Sequence, residues 1–287
     1  MSMKNKTSVF GSTGFVGSEY CRLFPEQVVK IQRESRVPQS DDILYLVSTN
    51  HNYNVFSDVH LDIDTNLNLL MDVLENCKKN KDITFNFVSS WFVYGKSGDL
   101  PAKEDSHCNP KGFYSITKRA AEQLLISYCE TFEIEYRIIR LCNVYGPADT
   151  KVSKKKNALQ YLTNRIVKGE SVDLYDGGEN IRDFLHIEDV CRAINLIIKN
   201  SPKNDIINVG SGIPHKFIDM MSYVKNKTGS ESVFTFVKPP RFHKVVQVQD
   251  MYLNIDKLKD LGFKPKYNIW KGLDMLIDNM KEKTNEQ

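Results

Sequence analysis

Thr7-Ser8-Val9-Phe10-Gly11-Ser12-Thr13-Gly14-Phe15-Val16-Gly17 joins a short apolar strand, three glycines at three-residue spacing and the start of a helix. Between a strand and a helix, residues without side chains let the backbone close in on an anion, which the N–H groups and dipole of the helix N-terminus favour. A dinucleotide pyrophosphate suits that arrangement. Glycines also fill ordinary turns, so the strand–turn–helix setting is what raises cofactor binding above a plain turn. Gly11, Thr13, Gly14, Phe15, Val16 and Gly17 are the expected cofactor-binding residues.

Outward from this turn, Phe15, Val16, Tyr20 and Leu23 fall at helical spacing and predict a helix to about Phe24, with a strand over Val28 to Gln32. Ile43 to Ser48 is a continuous apolar run of the kind buried on both faces of a parallel sheet. Asp64 or Thr65 can cap a helix whose Leu67, Leu70, Met71, Leu74 and Cys77 form one stripe. A strand over Ile83 to Val88, a helix over Phe113 to Phe132 and a strand over Tyr136 to Leu141 continue the alternation. The expected fold is therefore α/β, a Rossmann-like doubly wound parallel sheet with a smaller C-terminal substrate lobe. Residues 1–150 are expected mainly to bind the dinucleotide. Residues 151–287 are expected mainly to form the substrate lobe, with some segments returning to the first unit.

The 287 residues carry 39 Lys+Arg against 36 Asp+Glu, a formal charge of +3. That balance argues against nucleic acid as a partner. No run approaches the ~20 apolar residues of a membrane span, so no membrane partner and a cytoplasmic location are expected. Cys21, Cys77, Cys108, Cys129, Cys142 and Cys191 lie far apart, and His186, His215 and His243 are isolated. Free thiols and no metal site are the expectation. The run Lys154-Lys155-Lys156 reads as a solvated loop rather than a phosphate clamp.

Ser90 ends the strand after the capped helix, and Tyr114 and Lys118 stand four residues apart on one face of the next helix. A phenol titrates near 10, and a neighbouring ammonium favours the phenolate and lowers that value. Tyr114 could then act as acid or base at a sugar hydroxyl or ketone while Ser90 hydrogen-bonds the same oxygen. Tyr and Lys at this spacing commonly mark a solvated face. The glycine turn and Ser90 in the right places argue against chance.

These motifs resemble those of the extended short-chain dehydrogenases/reductases, the NAD(P)-dependent nucleotide-sugar epimerase/dehydratase family. The resemblance spans Gly11 to about Pro265. It is carried by Ser89-Ser90-Trp91-Phe92-Val93-Tyr94-Gly95, Tyr114-Ser115-Ile116-Thr117-Lys118 and Arg140-Leu141-Cys142-Asn143-Val144-Tyr145-Gly146-Pro147. Arg182-Asp183-Phe184-Leu185-His186-Ile187-Glu188-Asp189-Val190 and Asn208-Val209-Gly210-Ser211-Gly212 extend it. The resemblance implies that Ser90, Tyr114 and Lys118 are catalytic, with Tyr114 and Lys118 also touching cofactor. It implies Val47, Ser48 and Asn66 on the cofactor side, and Ser90, Trp91, Tyr114, Asn143 and Arg182 near a nucleotide-sugar substrate. Arg182 can grip a diphosphate by forked hydrogen bonds, or else pair with Asp183 or Asp189. Arg241 or Lys244 is expected to add a second cation.

The resemblance also narrows the chemistry. The family's dehydratases carry an acidic pair after the strand-end hydroxyl, where this chain has Trp91 and Phe92, so dehydration is not expected. Trp91 and Phe92 could line the sugar pocket or belong to the core, the core being the reading favoured for Phe92. NAD enzymes place an acid at the end of the second strand, which would repel a 2′-phosphate. Here stand Gln32 and Arg33, with Arg36 close by, so NADP(H) is favoured over NAD(H), the alternative being plain surface arginines. The link from Arg33 to Asp42 is too short for the usual third strand and its helix. The expected activity is NADPH-dependent reduction of a 4-keto (deoxy)sugar at carbon 4. The alternatives are a nucleotide-sugar 4-epimerase with tightly bound NAD, and a non-catalytic cofactor-sensing protein. A homodimer through the helices at 64–79 and 113–132 is implied as well.

Overall fold

Neighbouring side chains of a strand point to opposite faces, and the central strands here sort their apolar residues accordingly. In the computed structural model, which describes residues 6–96, 98–147, 149, 153 and 156–285, strands and helices alternate through the first half. The order is β1 (Thr7–Phe10), α1 (Phe15–Leu23), β2 (Val28–Lys30), β3 (Asp42–Tyr45), α2 (Leu61–Ile63), α3 (Leu69–Cys77), β4 (Thr84–Ser90), α4 (Phe113–Phe132) and β5 (Glu135–Leu141). Next come β6 (Asn143–Tyr145), α5 (Ala158–Val167), β7 (Val172–Tyr175), β8 (Ile181–Arg182), β9 (Phe184–His186), α6 (Ile187–Asn200) and β10 (Asp205–Val209). The chain closes with β11 (His215–Lys216), α7 (Phe217–Thr228), β12 (Phe234–Val237), α8 (Arg241–Val246), α9 (Asp256–Asp260) and α10 (Ile269–Asn285).

Six parallel strands form the main sheet in the order β2-β1-β3-β4-β5-β10. Val9, Leu44, Val88, Ile139 and Ile207 face α1 and α6, burying Tyr20, Val190 and Ile194 against them. Phe10, Ile43, Phe87 and Ile138 face the other way, onto Leu70 and Leu74 of α3 and Ala121 and Leu125 of α4. The sheet is therefore covered on both faces, the arrangement that parallel pairing demands. A separate core joins Leu162 and Ile166 of α5, Met220 and Val224 of α7, and Leu273 and Ile277 of α10.

Two local features bear on function. Residues 31–41 contain neither strand nor helix, so β2 is the sheet edge, as the short link predicts. The second feature corrects an expectation, because the helix expected from Asp64 or Thr65 begins earlier, at Leu61. The chain has already turned at Asp58, whose Oδ1 accepts the His60 N–H at 2.9 Å. Asp64 instead opens a π-helical turn, Asp64–Asn68, between α2 and α3. Asn66 within that turn is buried. Such turns are commonly found at functional sites.

Candidate active site

β4 ends at Ser90, and α4 starts at Phe113, which puts Tyr114 in its first turn and Lys118 one turn later. Asn52 shapes that helix start by accepting the Ser115 N–H at 3.3 Å. Gly112 makes room for it, since a Cβ there would fall 2.0 Å from Asn52 Oδ1. Ser90, Tyr114 and Lys118 are all buried. Lys118 Nζ donates to the Val88 carbonyl at 2.6 Å and lies 4.0 Å from the Phe87 ring centroid. Burial pushes its pKa down to about 7, with the Glu122 carboxylate acting to raise it. Glu122 is itself clasped by Arg140 (3.0 and 2.8 Å) and Arg119 (2.7 Å).

The phenol does not behave as the spacing alone suggests. Burial pushes Tyr114 up to about 12, the Ser90 hydroxyl as hydrogen-bond partner works to lower it, and the Asp62 carboxylate adds to the rise. A buried ammonium that has lost much of its own preference for the charged form gives the phenolate little support. In the chain without ligands Tyr114 is therefore a protonated group.

A buried polar network, absent from the sequence reading except for Ser48 and Asn66, braces this corner. Asn66 Oδ1 accepts from Ser48 Oγ and the Thr49 N–H, and its Nδ2 donates to Thr49 Oγ1 and Thr117 Oγ1, each at 2.9 Å. Asp62 Oδ1 accepts from Thr49 Oγ1 and from Asn54 Nδ2, the latter at 2.9 Å. Thr117 lies between Tyr114 and Lys118, so the network ties the segment after β3 to α4. Buried polar groups that meet their partners fix one arrangement and penalise others, although Asp62 Oδ2 is buried without a hydrogen-bond partner among the described residues.

On the cofactor side, Gly11 has φ +81° and a Cβ on Gly17 would meet the Gly11 carbonyl oxygen at 2.2 Å. Only glycines allow so close an approach. The nine-residue helix α1 has neither a side-chain cap nor an acidic residue in its first turn, which leaves its amide end suited to an anion. The residues present therefore fit a dinucleotide pyrophosphate at Gly11, Thr13, Gly14, Phe15, Val16 and Gly17. Gln32 and Arg33 are exposed just past β2, while Arg36 donates to the Arg33 carbonyl at 3.0 Å and lies 3.6 Å from Asp72. Val47 and Ser48 follow β3.

A cavity of about 400 Å³ opens beyond the end of β4, lined among others by Trp91, Phe92, Asn143, Lys156, Arg182 and His243. Trp91 and Phe92 stack with centroids 4.0 Å apart, and Phe92 meets Tyr114 edge-on at 5.9 Å. Phe92 is thus half-buried, lining the cavity and at the same time packing against the core around Val88 and Leu141. Asn143 Nδ2 donates to the Asp183 carbonyl at 2.9 Å.

Arg182 forms neither expected ion pair. It donates to the carbonyls of Ile181 (2.7 Å), Gln249 and Val248 (2.6 Å), with its guanidinium 5.6 Å from the Trp91 ring centroid. Asp183 accepts from Ser211, Gly212 and Leu253, and Asp189 pairs with Arg192. Burial pulls Arg182 down to about 10. Arg241 and Lys244 are both exposed on α8, while Pro240, His243, Val246 and Gln247 of that segment line the cavity. A six-residue helix shows only part of its circumference to one side. Lys156 lines the cavity and pairs with Asp149 at 2.8 Å, so it is not the solvated residue expected of the lysine run. Lys154 and Lys155 lie outside the described residues.

Residues 31–210 match the model of the family described as NAD dependent epimerase/dehydratase family. The chain belongs to that family. The putative UDP-glucose 4-epimerase of Methanocaldococcus jannaschii is 29% identical to it over 221 residues, covering 76% of this chain and 70% of that protein. The solved structure of UDP-glucose 4-epimerase with UDP-glucose from Thermotoga maritima superposes at a TM-score of 0.88. It shares 22% identity and covers 97% of this chain and 99% of that one. RMD from Pseudomonas aeruginosa complexed with NADPH follows at a TM-score of 0.84 and 20% identity, covering 98% and 99%. These epimerase/dehydratase-like structures share the parallel sheet and flanking helices described above. Family membership makes the chain an NAD-dependent enzyme by type, in agreement with the motif resemblance.

Proposed function

We propose that this protein reduces the 4-keto group of a nucleotide-activated sugar with NADPH. The observation that carries the reading is the end of β2, where Gln32 and Arg33 stand in place of the acid that would repel a 2′-phosphate, the next carboxylate in the chain being the exposed Glu34. Bound reduced nicotinamide supplies the hydride that converts the ketone to an alkoxide. Tyr114 gives its phenolic proton to that oxygen, Ser90 holds the same oxygen, and Lys118 holds the nicotinamide ribose. Burial supports these roles by keeping Tyr114 in the protonated state that a proton donor requires. Residues 1–150 hold mainly cofactor in this reading, and 151–287 mainly the nucleotide sugar, with Asn143 and Arg182 at its diphosphate end.

A second reading, a 4-epimerase with retained NAD, is favoured by the names of the Methanocaldococcus jannaschii and Thermotoga maritima proteins. Denaturing the purified protein and identifying its released nicotinamide by mass spectrometry separates the two. Stoichiometric NAD supports the epimerase and overturns the reductase. An empty site with tighter NADPH than NADH binding supports the reductase. Tyr114→Phe should cut turnover by roughly 10²- to 10⁴-fold while leaving cofactor affinity in place. Near-normal turnover would remove Tyr114 from the mechanism, whereas absence of turnover by the unaltered protein with any nucleotide sugar would favour a cofactor-sensing role.

The reading includes a cytoplasmic homodimer. Leu61 and Ile63 on α2 and Phe113, Ile116 and Leu124 on α4 are large apolar side chains left exposed, which supports pairing through these helices. Light scattering of the purified protein checks this, and a monomer mass counts against it. The six free cysteines suit a reducing compartment.

A further inference from the structure

We infer that Asp173 of β7 reads the nucleobase and selects guanine, which makes the substrate a GDP-sugar. The inference rests on the proposed nucleotide-sugar substrate and not on the reaction at carbon 4. Successive side chains of a strand point to opposite faces. On β7, Val172 and Leu174 are each 1% exposed and enter the lobe core with Met220 and Leu273, so Asp173 and Tyr175 share the other face. Both line the cavity. Two steps along a strand are about 6–7 Å, a span that a bicyclic base covers. The His243 ring packs on Tyr175 at 4.8 Å and 58°, and His243 Nδ1 is itself held by the Tyr53 hydroxyl at 3.1 Å. A phenol ring fixed in this way is a platform on which a base stacks with its edge toward Asp173.

Charge sets which part of the ligand meets Asp173. It is the one carboxylate among the described residues lining the cavity, and the same lining carries the cations Lys156 and Arg182. A diphosphate goes to the cations and away from the carboxylate, which leaves the nucleoside to Asp173. The Asp173 side chain is exposed and makes neither hydrogen bond nor ion pair among the described residues. Its neighbour across the ladder is the uncharged Thr235. An ionised carboxylate only accepts hydrogen bonds, through two oxygens side by side. Guanine offers N1–H and a 2-amino N–H side by side, a match for both oxygens. Uracil and thymine offer one N–H between two carbonyl oxygens, which the carboxylate repels. Cytosine and adenine set an amino group beside a bare ring nitrogen, one attraction against one repulsion. Water screens an exposed carboxylate, so the expected preference is roughly ten- to hundred-fold.

The test is calorimetric titration of the protein saturated with NADP⁺, with GDP, IDP, UDP, dTDP, CDP and ADP as probes. GDP should bind roughly ten- to hundred-fold tighter than UDP, dTDP, CDP or ADP. IDP, which lacks only the 2-amino group, should fall between GDP and the rest. Equal binding of all the probes, tighter binding of any other than GDP, or binding of none overturns the inference. Equal binding of GDP and UDP with dTDP weaker would give Asp173 to the ribose hydroxyls and overturns it as well. Asp173→Asn keeps the size but loses the charge and one acceptor, so GDP should weaken roughly tenfold while UDP holds within about twofold. A merely structural role would weaken both alike and leave their ratio standing, which overturns the assignment. If that variant does not fold, the unaltered protein decides, and equal affinity for GDP and IDP overturns the inference. Failure of the reaction is read separately. A guanine preference without NADPH oxidation by any GDP-linked 4-keto sugar keeps the role of Asp173 and removes the reductase. Reduction of a UDP- or dTDP-linked 4-keto sugar without that preference does the reverse.

Discussion

The sheet edge and the cavity each hold an arginine proposed to meet a phosphate, and the two are built in opposite ways. Arg33 is exposed just past the three-residue edge strand β2. Arg182 is 6% exposed and gives its N–H groups to the carbonyls of residues 181, 248 and 249. A surface cation costs the fold little to keep or to lose. A buried one that satisfies three carbonyls is part of the packing, so whatever binding it does is coupled to stability. Function at the edge can therefore change by substitution alone, whereas function in the cavity cannot change without repacking the loop at 248–249.

The sharpest way to break this contrast is Arg182→Met. The Ile181 carbonyl keeps the Met251 N–H at 3.1 Å, and the Val248 and Gln249 carbonyls lose their donor at about 1–3 kcal/mol each, so a loss of roughly 2–6 kcal/mol in urea unfolding is expected. An unchanged midpoint would make Arg182 as dispensable as Arg33. Arg33→Ala should move unfolding by less than about 0.5 kcal/mol. It should weaken NADPH binding roughly tenfold, the scale of one charge-assisted hydrogen bond, with NADH unaffected. Equal effects on the two cofactors would remove the edge as a 2′-phosphate site.

The smallest expected effect sharpens the picture between these regions. Asp62 raises the Tyr114 pKa, so Asp62→Asn lowers it. The proposed reduction uses the protonated phenol, so its activity is expected to fall as pH rises through that value. The alkaline limb of the kcat/KM profile should therefore move to lower pH in the variant. A limb that stays in place would confine Asp62 to holding Thr49 and Asn54.

The strand and helix order was legible because each central strand is a short apolar run and each helix a regular stripe. Phe113–Phe132 matches its sequence expectation residue for residue, between Gly112, which admits Asn52, and Glu133, which takes a left-handed conformation. The edge position of β2 was also legible, since a chain of fixed reach cannot place another strand and helix between Arg33 and Asp42. The buried polar corner was not. Asp62 and Thr117 are residue types that usually face water, and their burial depends on partners brought together by the π-helical turn. The ligands of Arg182 were hidden for a different reason. They are backbone carbonyls, which every residue carries, so no residue type marks them in the sequence.

The short edge strand has a consequence for life at high concentration. An exposed strand with unpaired amides invites pairing with another copy of the same chain, the route to aggregation. Here the ladder between β1 and β2 spans only Thr7–Val28, Ser8–Val29 and Val9–Lys30, and the edge strand ends in an exposed lysine. So brief and charged a border offers a poor template. A sheet that has given up its outermost strand thus stays guarded against joining its neighbours.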